Sequence, residues 1–216
     1  SGLRFRRKPT GKRFMGENGI AVAWKGPVEC RSCSIRDLVL FADLTEHDFK
    51  QVHARIDEIL YAPGAPLYES GQTGHHVFTL RGGLVKLVQC APDGTQRVVR
   101  LLRPSAIAGL ESLLARPYEH TAIALRPTSA CRIPVPVIND LKARIPNLQR
   151  RLLERWHQSL HDADEWLTRL STGSARARMA RLLLRLPTCE DGLCEVFSRE
   201  DLGAMLGVTT ETASRI

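Results

Sequence analysis

Four side chains near the C-terminus, Thr210, Glu211, Ser214 and Arg215, carry chemistry suited to the edges of nucleic-acid bases. A carboxylate accepts from cytosine N4, a hydroxyl bonds a base edge or a phosphate, and a guanidinium forks onto guanine O6 and N7. A second reactive set is made of sulfur: Cys30, Cys33, Cys90, Cys131, Cys189 and Cys194. The N-terminus shows no apolar signal core, so these cysteines are expected as thiols, metal ligands or redox sensors rather than as a disulfide framework. Cys30 and Cys33 stand close together after a basic segment that would lower a thiol pKa and raise its reactivity. A reversible disulfide, a zinc site and no sensor role at all are open for that pair. Cys189 and Cys194 flank Glu190-Asp191-Gly192 with no further Cys or His nearby and are expected to be ordinary loop thiols.

The elements that must position the first set are legible at the end of the chain, FSREDLGAMLGVTTETASRI. Ser198 can cap a helix, with Asp201 as a capping-box acid and Leu202, Met205 and Leu206 as its apolar face. Gly207 allows a sharp turn, Val208 fills the angle, and Thr209 or Thr210 caps a second helix with Ala213 and Ile216 inward. This pattern predicts a helix-turn-helix whose second helix belongs in a major groove, continuing for several turns and followed by a β-wing. The alternative is an ordinary helical hairpin with a charged face.

Upstream, Leu153, Trp156, Leu160, Ala163, Leu167 and Leu170 alternate steps of three and four residues, the seam of a coiled coil. A core helix would show the same spacing, but the position between two domains leaves a stripe that neither need cover, and a long dimerising helix is expected. It ends at Ser171-Thr172-Gly173-Ser174, after which Met179, Leu182, Leu183 and Leu186 mark one side of another helix. From Tyr61 to about Val135, short β-rich runs separated by glycine turns predict a small β-roll, with Asp93-Gly94 closing a hairpin. Before it, Thr45 and the apolar positions Phe49, Val52, Ile56, Ile59 and Leu60 predict an amphipathic helix. The expected fold class is α+β: a flexible leader over 1–29, the roll over 30–145, the dimerisation helix over 146–171 and the helix-turn-helix over 172–216.

The formal net charge of +8 favours a polyanionic partner, since Lys and Arg displace counterions from phosphates. Six basic residues fall within Arg4–Arg13, a block expected as a solvated tail. No apolar run is long enough to span a membrane, and a cytoplasmic location is expected. An enzyme using Cys30 and Cys33 for thiol-disulfide exchange, without binding DNA, would need a thioredoxin-like βαβ setting that the sequence does not show. No catalytic constellation emerges.

The order of roll, long helix and helix-turn-helix resembles the Crp/Fnr family of transcription regulators. TTETASRI is similar to the recognition helix of its Fnr branch, as are CRSCSI at 30–35, CRIP at 131–134 and IPNLQRRL at 145–152. The resemblance covers roughly residues 28–216. It implies a homodimer that reads an inverted repeat of DNA with a TGA-like half-site through Glu211, Ser214 and Arg215, and contacts to RNA polymerase. It also implies an oxygen-labile iron-sulfur cluster held by thiolates, for which Cys30, Cys33 and Cys131 match three positions. The fourth position of that pattern, six residues after Cys33, is Val39, so a cluster would need another ligand such as Asp37 or Cys90. In the Crp branch a cyclic nucleotide sits on a Gly-Glu turn and an Arg pair. Here Leu110 follows Gly109, and His120-Thr121 replaces the Arg pair, so a cyclic nucleotide is not expected. Haem, as in gas-sensing relatives, would call on His75, His76 or His120, which are expected instead to be surface residues.

Overall fold

The computed structural model describes residues 56–186 and 197–216. The leader, residues 45–55 of the expected first helix and residues 187–196 lie outside the described residues. Eight antiparallel strands come first: β1 (Asp57–Tyr61), β2 (Pro66–Tyr68), β3 (His76–Gly82), β4 (Val85–Cys90), β5 (Gln96–Leu102), β6 (Ile107–Ala108), β7 (Thr121–Ala124) and β8 (Thr128–Pro134). They form two four-stranded sheets ordered β1-β8-β3-β6 and β2-β7-β4-β5. A 3-10 helix, Leu110–Leu114, interrupts the run between β6 and β7.

Alternation explains the layering. On β3, Phe78 and Leu80 point into the roll beside Tyr68, Val85 and Leu87, while Val77 points the other way into a second cluster with Ile133, Ile138 and Leu141. The β4–β5 hairpin closes at Asp93-Gly94, where Ala91 N–H donates to the Thr95 carbonyl at 2.8 Å and the Asp93 carboxylate accepts from Thr95 N–H at 2.9 Å.

The helix expected to run on to Leu60 gives way to a strand. Ile59 and Leu60 belong to β1, which pairs with β8 from Asp57 opposite Arg132 to Tyr61 opposite Thr128. Apolar residues at 56, 59 and 60 fit a helical period, but burial alternates residue by residue along 57–61, and the unpaired edge of β8 decides the matter.

The helical half contains α1 (Val135–Arg144), α2 (Pro146–Leu170), α3 (Ala175–Arg185), α4 (Arg199–Leu206) and α5 (Thr210–Arg215). Pro146 opens α2, where its missing N–H costs nothing. Its 25 residues span about 37 Å at the usual rise. Leu148, Leu152, Trp166 and Leu170 are buried along one side, while Leu153, Leu160 and Leu167 are 60–63% exposed and Trp156 is 37% exposed. Leu170 therefore leaves the expected seam: α3 folds back after Ser171–Ser174, and Leu170 packs at 1% exposure with Leu182, Leu202 and Met205. Leu183 likewise faces outward at 39% exposure, because Leu182 and Leu186 take the core side of α3. The third core cluster joins Val88 and Val98 of the roll to Trp166, Leu182, Leu202, Met205, Leu206 and Ala213. Each such large side chain withdrawn from water contributes roughly 1.5–3 kcal/mol.

Candidate nucleic-acid interface

The helix-turn-helix forms as its local chemistry requires. Ser198 caps α4, accepting from Asp201 N–H at 3.0 Å and donating to the Asp201 carboxylate at 2.9 Å. Gly207 ends the helix at φ 65°, a left-handed conformation that favours glycine. Gly203 lets the second helix approach: a Cβ there would lie 2.8 Å from the Val208 carbonyl. Thr209 caps α5 by accepting from Thr212 N–H at 3.2 Å. Ala213 anchors α5 at 7% exposure, whereas Ile216, expected inward, is 37% exposed.

Thr210, Glu211, Ser214 and Arg215 are all exposed on α5. Glu211 and Arg215 form an ion pair along the helix, with both side chains more than two-thirds exposed. An exposed pair of this kind is worth well under about 1 kcal/mol, so either group is free to exchange its partner for a base.

Sequence reasoning missed the residues that seat this unit against the roll. Lys86 on β4 pairs with Asp201, both side chains less than a fifth exposed. Arg178 on α3 donates to the Leu206 carbonyl, and Arg126 lies 5.9 Å over the ring of Phe197. Lys86 and Asp201 are 115 positions apart, and no local pattern connects them.

Inside the roll, Tyr68 and Tyr118 stack at 4.1 Å, and the Tyr118 hydroxyl donates to the His76 carbonyl at 2.8 Å. Burial, reinforced by the nearby Glu111 charge, pushes the Tyr68 phenol far above its usual range. Burial, then the Arg100 guanidinium, holds the His120 imidazole below its ordinary value, and burial does the same at His76. Both rings are partly enclosed rather than fully at the surface, and His75 is exposed.

Of the thiols expected to sense, Cys131 lies half-buried on β8, in register with Glu58 and Thr79, and packs against the cluster under α1. Cys90 is exposed at the end of β4 in the other sheet. Cys30, Cys33, Cys189 and Cys194 lie outside the described residues. Among the described residues no group of three His, Cys, Asp or Glu side chains is arranged to hold a metal ion. An iron-sulfur cluster fits the donor set only in part: Cys131 offers one soft, partly shielded sulfur, and the sequence supplies three matching thiolates rather than four.

Comparison with known proteins agrees with this architecture. The family model of the cyclic nucleotide-binding domain matches residues 58–144, and that of the Crp-like helix-turn-helix domain matches residues 177–216. The chain is 27% identical over 209 residues to the transcriptional activator protein FnrA of Stutzerimonas stutzeri, covering 91% of this chain and 84% of the relative. It is 24% identical over 217 residues to the fumarate and nitrate reduction regulatory protein of Vibrio cholerae, covering 97% and 84%. The structure of FixK2 from Bradyrhizobium japonicum superposes with a TM-score of 0.63 at 23% identity, over 74% of this chain and 81% of that one.

A cyclic nucleotide-binding-type roll joined to a Crp-like helix-turn-helix defines a DNA-binding transcription regulator, not an enzyme. The chain belongs to the Crp/Fnr family, on its Fnr side.

Proposed function

We propose that two copies of this chain pair along α2 and read an inverted repeat, each copy presenting Thr210, Glu211, Ser214 and Arg215 to one half-site. The division of labour is a sensing roll through residue 145, a pairing helix over 146–171 and a reader from 172 onward. The observation that carries this reading is the exposure of those four side chains on a helix seated by buried Ala213. The stripe of Leu153, Trp156, Leu160, Ala163 and Leu167 supports pairing, since four large apolar side chains stand in water on one line of α2. Two recognition helices set about one DNA turn apart bind additively only when the pairing holds them in step.

The signal is of a redox or oxygen type, received at Cys30, Cys33 and Cys131, with a cluster or a thiol switch as its chemistry. The relatives' names as activators and as regulators of fumarate and nitrate reduction support this. The cytoplasm is the compartment, consistent with the absence of any helix among the described residues long and apolar enough to cross a membrane. RNA polymerase is the partner on DNA.

Titration of the full-length protein onto a palindromic DNA by fluorescence anisotropy tests the base-reading role. Arg215→Ala is expected to weaken binding by about 1–3 kcal/mol and to relax preference at one base position. Equal affinity of Arg215→Ala and the parent protein for that site would overturn it.

A further inference from the structure

A cleft of about 350 Å³ lies between the β5–β6 segment, α2 and α3. It is distinct from the roll interior, since none of Gly109, Glu111 or His120 lines it. Arg100, Arg103, Arg155 and Arg185 face it against two carboxylates, Asp162 and Glu165, with Trp166 and Leu182 as an apolar wall. Three of the arginines are engaged already. Arg100 donates to the Ser159 carbonyl at 3.2 Å, Arg103 to the Arg185 carbonyl, and Arg185 pairs with Glu165. The carboxylates are taken as well: Glu165 also holds Arg169 at 3.2 Å, and Asp162 accepts from the Gln158 amide at 2.8 Å.

Arg155 is different. Among the described residues it has no hydrogen-bond or ion-pair partner, and the adjacent Glu154 is claimed by Arg150 at 3.4 Å. Burial, then the neighbouring Arg151 charge, disfavours its protonated form and outweighs the opposite pull of the Glu154 carboxylate. A guanidinium nevertheless stays charged at neutral pH, so a partly enclosed fork of donors faces the cleft with no carboxylate bonded to it.

We propose that this cleft binds a small organic anion, a carboxylate or phosphate carried on an aromatic or aliphatic body. The charged head sits on Arg155, completing its fork of donors, and the body lies against Trp166 and Leu182. Such a ligand would touch β5–β6 of the roll and α3 of the reader at once, tying the two together.

Calorimetric titration of the full-length protein without DNA tests the site, so its outcome is independent of whether α5 reads bases. Phenyl phosphate and benzoate separate the phosphate from the carboxylate headgroup, and benzyl alcohol reports the apolar body alone. At least one of the two anions is expected to bind saturably and more tightly than benzyl alcohol. Arg155→Ala should weaken that binding by about tenfold or more, and Arg155→Lys should recover part of it. Arg144→Ala, on α1 and outside the cleft, should leave it unchanged. Absence of saturable binding by either anion, or equal affinity in Arg155→Ala and the parent protein, would overturn the proposal.

Discussion

His120 and His76 show how single residues in the roll respond to their surroundings. Both are half-enclosed and kept below the ordinary imidazole value of 6.5, with burial the first cause at each. A lowered folded-state pKa means that the neutral ring is favoured in the fold. The unfolded chain then takes up protons first, and stability present above 6.5 is lost as pH falls through the folded-state value. The Asp93 carboxyl is held down by its hydrogen bonds from Thr95. At Glu165 burial acts upward, but Arg185 and Arg169 outweigh it, so both groups titrate below their ordinary 3.8 and 4.5. Neither of these two carboxyls therefore changes charge in the interval just below 6.5, where the two histidines take up protons. The melting temperature is expected to fall across that interval, and to fall less in His120→Gln, as differential scanning fluorimetry at closely spaced pH values would show. A slope identical in the variant would remove His120 from this account. At this scale the caps were legible in the sequence, because Ser198 and Thr209 act on backbone N–H groups only three residues away. The ion pair of Lys86 with Asp201 was not, since it depends on where two distant elements come to rest.

Among the elements, α2 carries two adjacent apolar faces. Leu148, Leu152, Trp166 and Leu170 serve the chain's own cores, and Leu153, Trp156, Leu160 and Leu167 serve none of them. The periodicity of the sequence located the second face but carried it one step too far, to Leu170. Only the return of α3 across the end of α2 shows that Leu170 is already covered. A charge placed in the middle of the exposed face should disrupt pairing without disturbing the monomer core. Leu160→Lys is expected to sediment as a monomer at concentrations where the parent protein is a dimer. It should also lose its advantage on an inverted repeat over a single half-site, by about a hundredfold. A dimeric Leu160→Lys with undiminished affinity would remove this face from the assembly. The contrast at 56–60 has the same origin: the apolar spacing there suits a helix, and the open edge of β8 makes it a strand.

In the whole molecule, the roll and the helix-turn-helix are not separate bodies joined by a helix. Val88 and Val98, on the outer face of β4 and β5, enter one core with Leu202, Met205, Leu206 and Ala213. That sheet therefore touches α4 directly, as well as α2. The proposed signal at Cys131 would have a short route to the same place, because β8 pairs with β3 in the sheet that packs against β4 and β5 across the roll. Affinity for the palindromic site is expected to differ between protein prepared anaerobically in reductant and protein exposed to air. Cys131→Ser should bring the two values together, as paired anisotropy titrations would reveal. Equal affinities in both preparations of the parent protein would set aside a redox signal.

The sequence by itself determined what short-range chemistry controls: the capped helices of the reader, the Asp93-Gly94 hairpin, the apolar stripe of α2 and the residues that α5 shows to solvent. Those features rest on backbone geometry and on periods of two or 3.6, which any stretch of chain carries within itself. Only the tertiary structure decided that β1 is a strand, that Leu170 is buried, that Lys86 meets Asp201 and that Arg155 faces a cleft. Each of these depends on contacts between segments far apart in the chain, where burial and pairing override local preference and leave no local period to read.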